Sequence, residues 1–413
     1  MVSRVEFGSV GKGDEERFPG NPPTIAAVAR VRRLTRKQIV QRRETLRLIA
    51  AAAAAIAAPA RAQEKHIVLG QSAPLTGPAA QLGIQLRSGA RLVLDALNAA
   101  GGINGHRLEL VTLDDGYEPD RCKANTEKLI KDGAFALFNY VGTPTSLAAL
   151  PLVHEAKIPF FAPFTGAEAL RDPFNRYVFH LRASYFQETA LIVKQLTSLG
   201  LKKIAVFYQD DAYGKAGFEG VRRALKERNL EPAGLGTVVR NSVDVQQAVK
   251  AIIPQQPDAV VQISAYKSCA AFIRQARKAG YGGTFYNVSF VGTQALADEL
   301  GKDGNGVAVS QVMPFPFSTT TVITREYLAA VQKTNGQLQP NYSGIEGFIG
   351  AKVLAEGLRR AGANPTRESL VFGLESIQNA DFGGFLVNFG PRTHTASNFV
   401  ELSMIAEDGR VRH

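Results

Sequence analysis

Tryptophan is absent from the 413 residues, cysteine occurs twice and histidine six times. Two cysteines, Cys122 and Cys269, cannot build the disulfide framework that staples small secreted domains. Set in different halves of the chain, they read as unpaired, buried small residues. The histidines (66, 106, 154, 180, 394 and 413) are scattered, with no metal-ligand spacing. Long apolar runs are missing too. The uncharged stretch from Leu48 to Ala58 is about half the ~20 residues a membrane-spanning helix needs. No G-x-S-x-G elbow, H-E-x-x-H pair, G-x-x-x-x-G-K-[ST] loop or G-x-G-x-x-G after a strand occurs. An exported α/β hydrolase would need a nucleophile–base pair that the sequence does not show. The acidic cluster Asp114, Asp115, Glu118 and Asp120 lacks the spacing of a calcium loop. It reads as acids at a strand end feeding a helix N-terminus, where the dipole favours them.

What is present is a globular composition, 45% apolar and 21% charged, in a length that favours two lobes. The net charge of +11 is unevenly placed: residues 1–62 carry +7 of it and the remainder only +4. A nucleic-acid binder should carry its basic stripe on the folded part, so nucleic acid is not expected as a partner. Arg42-Arg43-Glu44-Thr45-Leu46-Arg47, the alanine-rich run and Ala60-Arg61-Ala62 are the parts of a cleaved export signal. The arginine pair resembles a twin-arginine signal, with Thr45 where an aromatic is usual. Residues 1–30 are expected to be a mis-annotated or disordered extension, 31–62 the signal peptide, and Gln63 the first residue of a mature periplasmic protein.

Past the signal, strand and helix patterns alternate. Apolar runs at 66–73, 107–113, 134–139 and 159–162 predict strands. Helical periodicity predicts helices between them, including Ala90, Val93, Leu94 and Leu97 on one face. The pattern restarts with a helix at 184–199, whose Phe186, Ala190 and Val193 share a face. Strands are predicted at 203–208, 236–240, 259–264 and 284–288, long helices at 321–333 and 342–361, and closing strands at 386–389 and 399–405. Such alternation gives parallel sheets covered on both faces. The fold class is α/β with two doubly wound lobes. Loops 142–144 and 164–166 each lead from a strand toward a helix. Their backbone N–H groups and the Thr143 and Thr165 hydroxyls suit a carboxylate; plain N-capping by threonine is the alternative.

Six phrases carry a family resemblance: VLGQSAPLTGPAAQLG at 68–83, GGINGHRLELVTLDD at 101–115, GTPTS at 142–146, IPFFAPFTGA at 158–167, KKIAVFYQDDAYGKAG at 202–217 and FIRQARKAGY at 272–281. In this order they resemble the leucine/isoleucine/valine-type periplasmic solute-binding proteins of ABC importers. The resemblance implies a type I periplasmic-binding fold with three crossovers near 182–186, 311–314 and 390–394. Lobe 1 would be 63–183 with 313–391, and lobe 2 would be 184–312 with 392–413. It implies a non-enzymatic receptor without cofactor or metal. The receptor would bind an amino acid, amide or small carboxylate by closure of the lobes and hand it to an inner-membrane permease with its ATPase. A ligand-sensing regulatory domain of the same fold is the alternative. The residues implied for the ligand are Gly142, Thr143, Phe164, Thr165 and Gly166 from lobe 1, Tyr185 at the first crossover, and Tyr213, Tyr266 and Ser289 from lobe 2. Leu82 stands where relatives often carry an aromatic. Ser289 stands where the family has a glutamate for the ligand's ammonium, and no acid occurs between Arg277 and Asp298. Lobe 2 is thus expected to be polar, with Lys267 close by and no carboxylate for an ammonium unless one such as Asp211 supplies it.

Overall fold

A computed structural model describes residues 65–413. The expected extension at 1–30 and export signal at 31–62 lie outside those residues. The chain opens with β1 (Lys65–Ala73), α1 (Ala80–Ala99), β2 (His106–Asp114), α2 (Pro119–Lys131), β3 (Ala136–Phe138), α3 (Thr143–Ala156), β4 (Phe160–Phe161) and β5 (Val178–Phe179). The strands form a parallel sheet in the order β2-β1-β3-β4-β5. Its strands β3 and β4 are apolar throughout because both faces are covered. Leu137 packs with Cys122, Leu129, Ala149 and Val153 on the α2/α3 side, while its neighbour Phe138 joins the larger core on the other face.

The alternation then repeats: α4 (Tyr185–Ser198), β6 (Ile204–Gln209), α5 (Ala212–Lys226), β7 (Leu235–Val238), α6 (Gln246–Ile252), β8 (Ala259–Ile263), α7 (Tyr266–Lys278), β9 (Thr284–Asn287), α8 (Thr293–Leu300) and β10 (Ala308–Gln311). Three helices follow, α9 (Val322–Gln332), α10 (Tyr342–Arg360) and α11 (Arg367–Glu375), of which α10 returns to pack on α1. Strands β11 (Ala380–Asp381) and β12 (Leu386–Val387) pair only with each other, and β13 (Glu401–Ile405) and β14 (Val411–Arg412) end the chain. The second sheet runs β14-β13-β10-β9-β8-β6-β7, with β13 antiparallel to β10. The chain therefore passes between the two sheets' layers three times.

Both sheets share one logic. β1 lies between β2 and β3, and β6 lies between β7 and β8. Chain order reverses at β1 and at β6, and in open parallel sheets ligands bind beyond the strand C-termini at such a switch. The predicted strands and helices fall within a few residues of those observed. Strands β5, β10, β11 and β14 and helices α8 and α11 were not predicted. Their apolar segments are short, or are interrupted by glycine and charge. Cys122 and Cys269 are buried and unpaired, as expected.

Helices α1 and α10 approach each other closely at their glycines. A Cβ at Gly89 would lie 1.8 Å from the Gly344 carbonyl oxygen, and one at Gly347 would lie 2.0 Å from that of Leu86. Contact this close requires hydrogen in place of a side chain, because overpacking a tight contact costs roughly 1–3 kcal/mol. Gly89→Ala should lose stability of about that size in denaturant unfolding. An unchanged midpoint would show that the helices can part freely.

Candidate functional site

The strand C-termini of both lobes converge on a set of buried rings. Tyr117 comes from the loop after β2, Phe164 from the loop after β4, and Tyr185 from the start of α4. Tyr213 lies in the first turn of α5, and Phe290 in the 3-10 turn Ser289–Val291 after β9. All five are buried. Phe290 is the centre: its ring centroid lies 5.8 Å from that of Tyr117, 5.6 Å from that of Phe164 and 4.4 Å from that of Tyr213. Tyr213 and Tyr185 are 5.4 Å apart. Tyr117 sits at φ 64°, a left-handed conformation that bulky residues seldom adopt. Its ring lies against Gly142, where an added Cβ would be 2.2 Å from the ring edge and where φ is 98°.

The threonines meet at the same place. Thr143 and Thr165 hydroxyls are 2.7 Å apart, and Thr165 Oγ1 is 3.4 Å from Tyr185 Oη. N-capping holds for neither threonine: Thr165 Oγ1 accepts the Ala167 N–H at 3.2 Å within the loop, the 3-10 turn at Glu168–Leu170 is preceded by Ala167 with no side-chain cap, and Thr143 itself begins α3. Gly142 precedes α3 with no side-chain cap, so the helix presents uncapped amides beside the two hydroxyls. Gly166 lies against Tyr185, 2.8 Å from the ring edge to a Cβ placed there. Tyr266 is set apart, at the start of α7, where its hydroxyl is 3.5 Å from the Gln81 N–H of the opposite lobe. Leu82 abuts Gly292 across the same seam.

Ser289 is not an open polar wall. Its N–H and hydroxyl donate to Glu188 at 2.7 and 3.0 Å, and Ser310 donates to the same carboxylate at 2.6 Å. The expectation that lobe 2 lacks a carboxylate here is thus corrected: Glu188, three residues after Tyr185 on α4, is buried beside Ser289. The buried face of α4 is Tyr185, Glu188, Thr189, Ile192, Val193 and Leu196; of the Phe186, Ala190 and Val193 stripe that periodicity suggested, Val193 lies on it and Ala190 is partly buried beside it. A mostly apolar helix offers two plausible stripes, and the hydroxyls of Ser289 and Ser310 select the one bearing the acid. Desolvation raises the Glu188 pKa, against the pull of Arg182 and the serine donors.

Arg182, which the sequence reading passed over, completes the network. Its Nε and Nη2 bond Glu346 of α10 at 2.8 and 2.6 Å, and its Nη1 donates to Ser289 at 3.1 Å. Its guanidinium lies 4.0 Å above the Phe164 ring. Burial alone would lower the Arg182 pKa; the Glu346 carboxylate outweighs this and keeps the group charged. Asp211, considered as a partner for a ligand cation, is already engaged. It caps α5 through the Tyr213 N–H at 2.9 Å and accepts from Gln209 Nε2 at 2.6 Å and Arg240 at 3.3 Å.

Around the rings runs a rim of contacts between lobes. Arg240 Nη2 donates to Glu118 at 2.9 Å. Asn241 Nδ2 donates to Glu118 at 2.7 Å and to the Gly116 carbonyl at 3.0 Å. Gln209 Nε2 donates to Tyr117 Oη at 3.3 Å. Glu118 therefore serves the seam more than a helix dipole. Asp115 accepts from Ser72 and the Tyr117 N–H, and its desolvation outweighs those bonds, raising its pKa to about 6. No group of three or more His, Cys, Asp or Glu suited to a metal occurs among the described residues. Desolvation pushes both thiols up, away from the reactive thiolate. The rings pack on one another, and the cavity beside Phe164, Arg182 and Ser289 holds only about 10 Å³, so a small molecule enters this arrangement only if the lobes part.

A family profile described as periplasmic binding protein matches residues 66–410. The chain belongs to that family. Its relatives are of the leucine/isoleucine/valine type. The Leu/Ile/Val-binding protein homolog 7 of Brucella melitensis is 26% identical over 388 residues, 88% of this chain and 95% of that protein. A "possible leucine/isoleucine/valine-binding protein" from Rhodopirellula baltica SH 1 is 33% identical with a TM-score of 0.82, across 86% of this chain and 97% of its own. A substrate-binding periplasmic protein from Ralstonia solanacearum is also 33% identical, with a TM-score of 0.79, across 84% and 99%. The family consists of solute-binding proteins, and its type I fold is the one observed.

The Arg182–Glu346 pair yields a test. Removing one member of a buried pair typically costs about 3–5 kcal/mol, because the other charge is stranded. Arg182→Met should lose stability of that order, and adding Glu346→Leu should recover most of it, measured by denaturant unfolding of both variants. Simple addition of two losses would show that the pair is not coupled.

Proposed function

We propose that this chain is a non-enzymatic periplasmic receptor. It captures a small amino-acid-like or carboxylate solute by hinged closure and delivers it to the permease and ATPase of an ABC importer. The carrying observation is the convergence of Thr143, Thr165 and the uncapped amides of α3 with buried rings from both lobes at the two switch points. The ligand contacts in this reading are Gly142, Thr143, Phe164, Thr165, Gly166, Tyr185 and Tyr213. Tyr266 closes the mouth against Gln81, and Ser289 acts by fixing the turn that carries Phe290. Closure is supported by the rim, since Arg240, Asn241 and Gln209 bond the opposite lobe through few and separable contacts. Export is supported by the signal-like segment at 31–62, and the intact mass of protein recovered from the periplasm should begin at Gln63.

A thermal-shift screen of amino acids, amides, and aromatic and aliphatic carboxylates tests the receptor reading. A solute at a hundred times its Kd adds about 2.7 kcal/mol to stability, and small-angle scattering should then show a smaller radius of gyration. A panel in which no solute raises the melting temperature or compacts the molecule would overturn it.

A further inference from the structure

We propose that His394 is a buried imidazolium at neutral pH, and that its second proton makes it a pH-dependent clip on the last segment that passes between the lobes. This goes beyond the receptor reading and does not depend on the solute. Three observations lead to it.

The first is where the ring sits. His394 lies in the connection from β12 to β13, the last of the three passages, and is buried. Its ring stacks on Phe179 of β5, with centroids 3.7 Å apart and planes 15° from parallel, and Phe174 meets it edge-on at 4.7 Å. Backbone bonds run alongside. The His180 N–H donates to the His394 carbonyl at 2.7 Å, and the Ala396 N–H donates to the His180 carbonyl at 2.8 Å. The imidazole thus fastens this segment to β5 and to the end of α11, and an aromatic face is a favourable neighbour for a cation.

The second is what the ring nitrogens face. Nδ1 lies 3.1 Å from the Val178 carbonyl oxygen, and Nε2 lies 3.2 Å from Glu375 Oε1. A carbonyl and an ionised carboxylate only accept. A neutral imidazole carries a single N–H, so one nitrogen would turn a lone pair toward an acceptor. The imidazolium donates at both. His180, in the neighbouring segment, is the contrast. Its Nε2 meets the Leu170 carbonyl at 3.1 Å and its Nδ1 has no partner. Burial, with Arg171 beside it, holds the His180 pKa well below the ordinary histidine range.

The third is the local charge. Arg176, before β5, pairs through Nη2 with Glu368 at 2.9 Å, and its Nη1 is 3.7 Å from Glu375 Oε1. Tyr177 adds a hydroxyl to Glu368 at 3.0 Å. Arg171 is turned toward carbonyls and Thr395 instead. Two carboxylates of α11 therefore share one guanidinium, and His394 is the group placed to balance the buried one. Desolvation pulls the His394 pKa down, against Glu375 and the Val178 and Asn175 carbonyls. Discharging the ring would not relieve the burial. It would strand the Glu375 carboxylate and leave one acceptor without a donor. The contacts favour the charged ring.

A histidine whose folded pKa lies above its unfolded value of about 6.5 adds stability below that pH, and the contribution is lost as pH rises through the folded pKa. The experiment is nitrogen-15 histidine NMR of the full chain from about pH 5 to about pH 9, with His394 assigned through its contact with the Phe179 ring. Slightly above neutral pH, its two nitrogens should both carry protons, whereas an exposed histidine shows one bare nitrogen. Glu375→Gln should lower the proton affinity of His394 by about tenfold or more. At a single pH it should also speed hydrogen exchange of the His180 and Ala396 amides. In denaturant unfolding, the stability gap between wild type and His394→Gln should shrink from about pH 6 to about pH 9. A bare ring nitrogen on His394 at neutral pH would overturn the inference, and the wild-type spectrum shows this whether or not a variant folds. A His394 titration unmoved by Glu375→Gln, or a stability gap that widens with pH, would overturn it equally. None of these outcomes bears on the receptor reading.

Discussion

A guanidinium without access to water must be neutralised where it stands, and Arg182 is that group. It lies at the first passage between the lobes. Its forked donors reach Glu346 on a helix of the first lobe and Ser289 on a turn of the second. Through Ser289 the network runs on to Glu188 and Ser310. The desolvation of three charged groups would be prohibitive one at a time. It is tolerable only as one connected set with a fixed geometry. That geometry sets the turn after β9, and the turn sets the position of Phe290. The aromatic cluster between the lobes is thus placed by an ion pair next to it.

Much of this architecture was legible in the sequence, and the reason is periodicity. The strand runs beginning at His66, Lys203 and Ala259 are short, apolar and bounded by polar or glycine-rich turns, so their boundaries came within a few residues. Thr143 and Thr165 were legible because strand-to-helix loops carry ligand contacts in such folds, and Tyr185 and Tyr213 through the family resemblance; the structure brings these four together. Tyr266 and Ser289 were expected as ligand contacts from the resemblance; in the structure Tyr266 Oη faces the Gln81 N–H and Ser289 donates to Glu188.

The illegible part consists of long-range pairings. Nothing local marks Arg182 as the partner of Glu346, 164 residues away. Glu118 read as a helix-terminus acid because its own helix was in view, whereas Arg240 and Asn241 approach it from the other lobe. Phe290, an apolar residue in the turn after β9, carried no signal of its own in the sequence. Only the three-dimensional meeting of its neighbours shows that it occupies the centre. Gln209 fell one residue past the strand predicted at 203–208, and nothing local marks its bonds to Asp211 and to Tyr117 of the other lobe.

Arg171 has a mechanical consequence. One guanidinium nitrogen lies within reach of the carbonyls of Thr165, Arg182 and Ala183, and the other donates to Thr395. Burial draws its pKa down to about 10, so it stays charged at neutral pH. His180 and Thr395 pair side by side as a parallel bridge in the same place. The side chain therefore works as a splint, laminating the first and third connecting segments into a single strip. Such a strip resists torsion along its length up to Ala183. If the lobes close as proposed, bending would fall in the few backbone bonds beyond it, and the two halves would swing as on a door hinge rather than twist as on a ball joint.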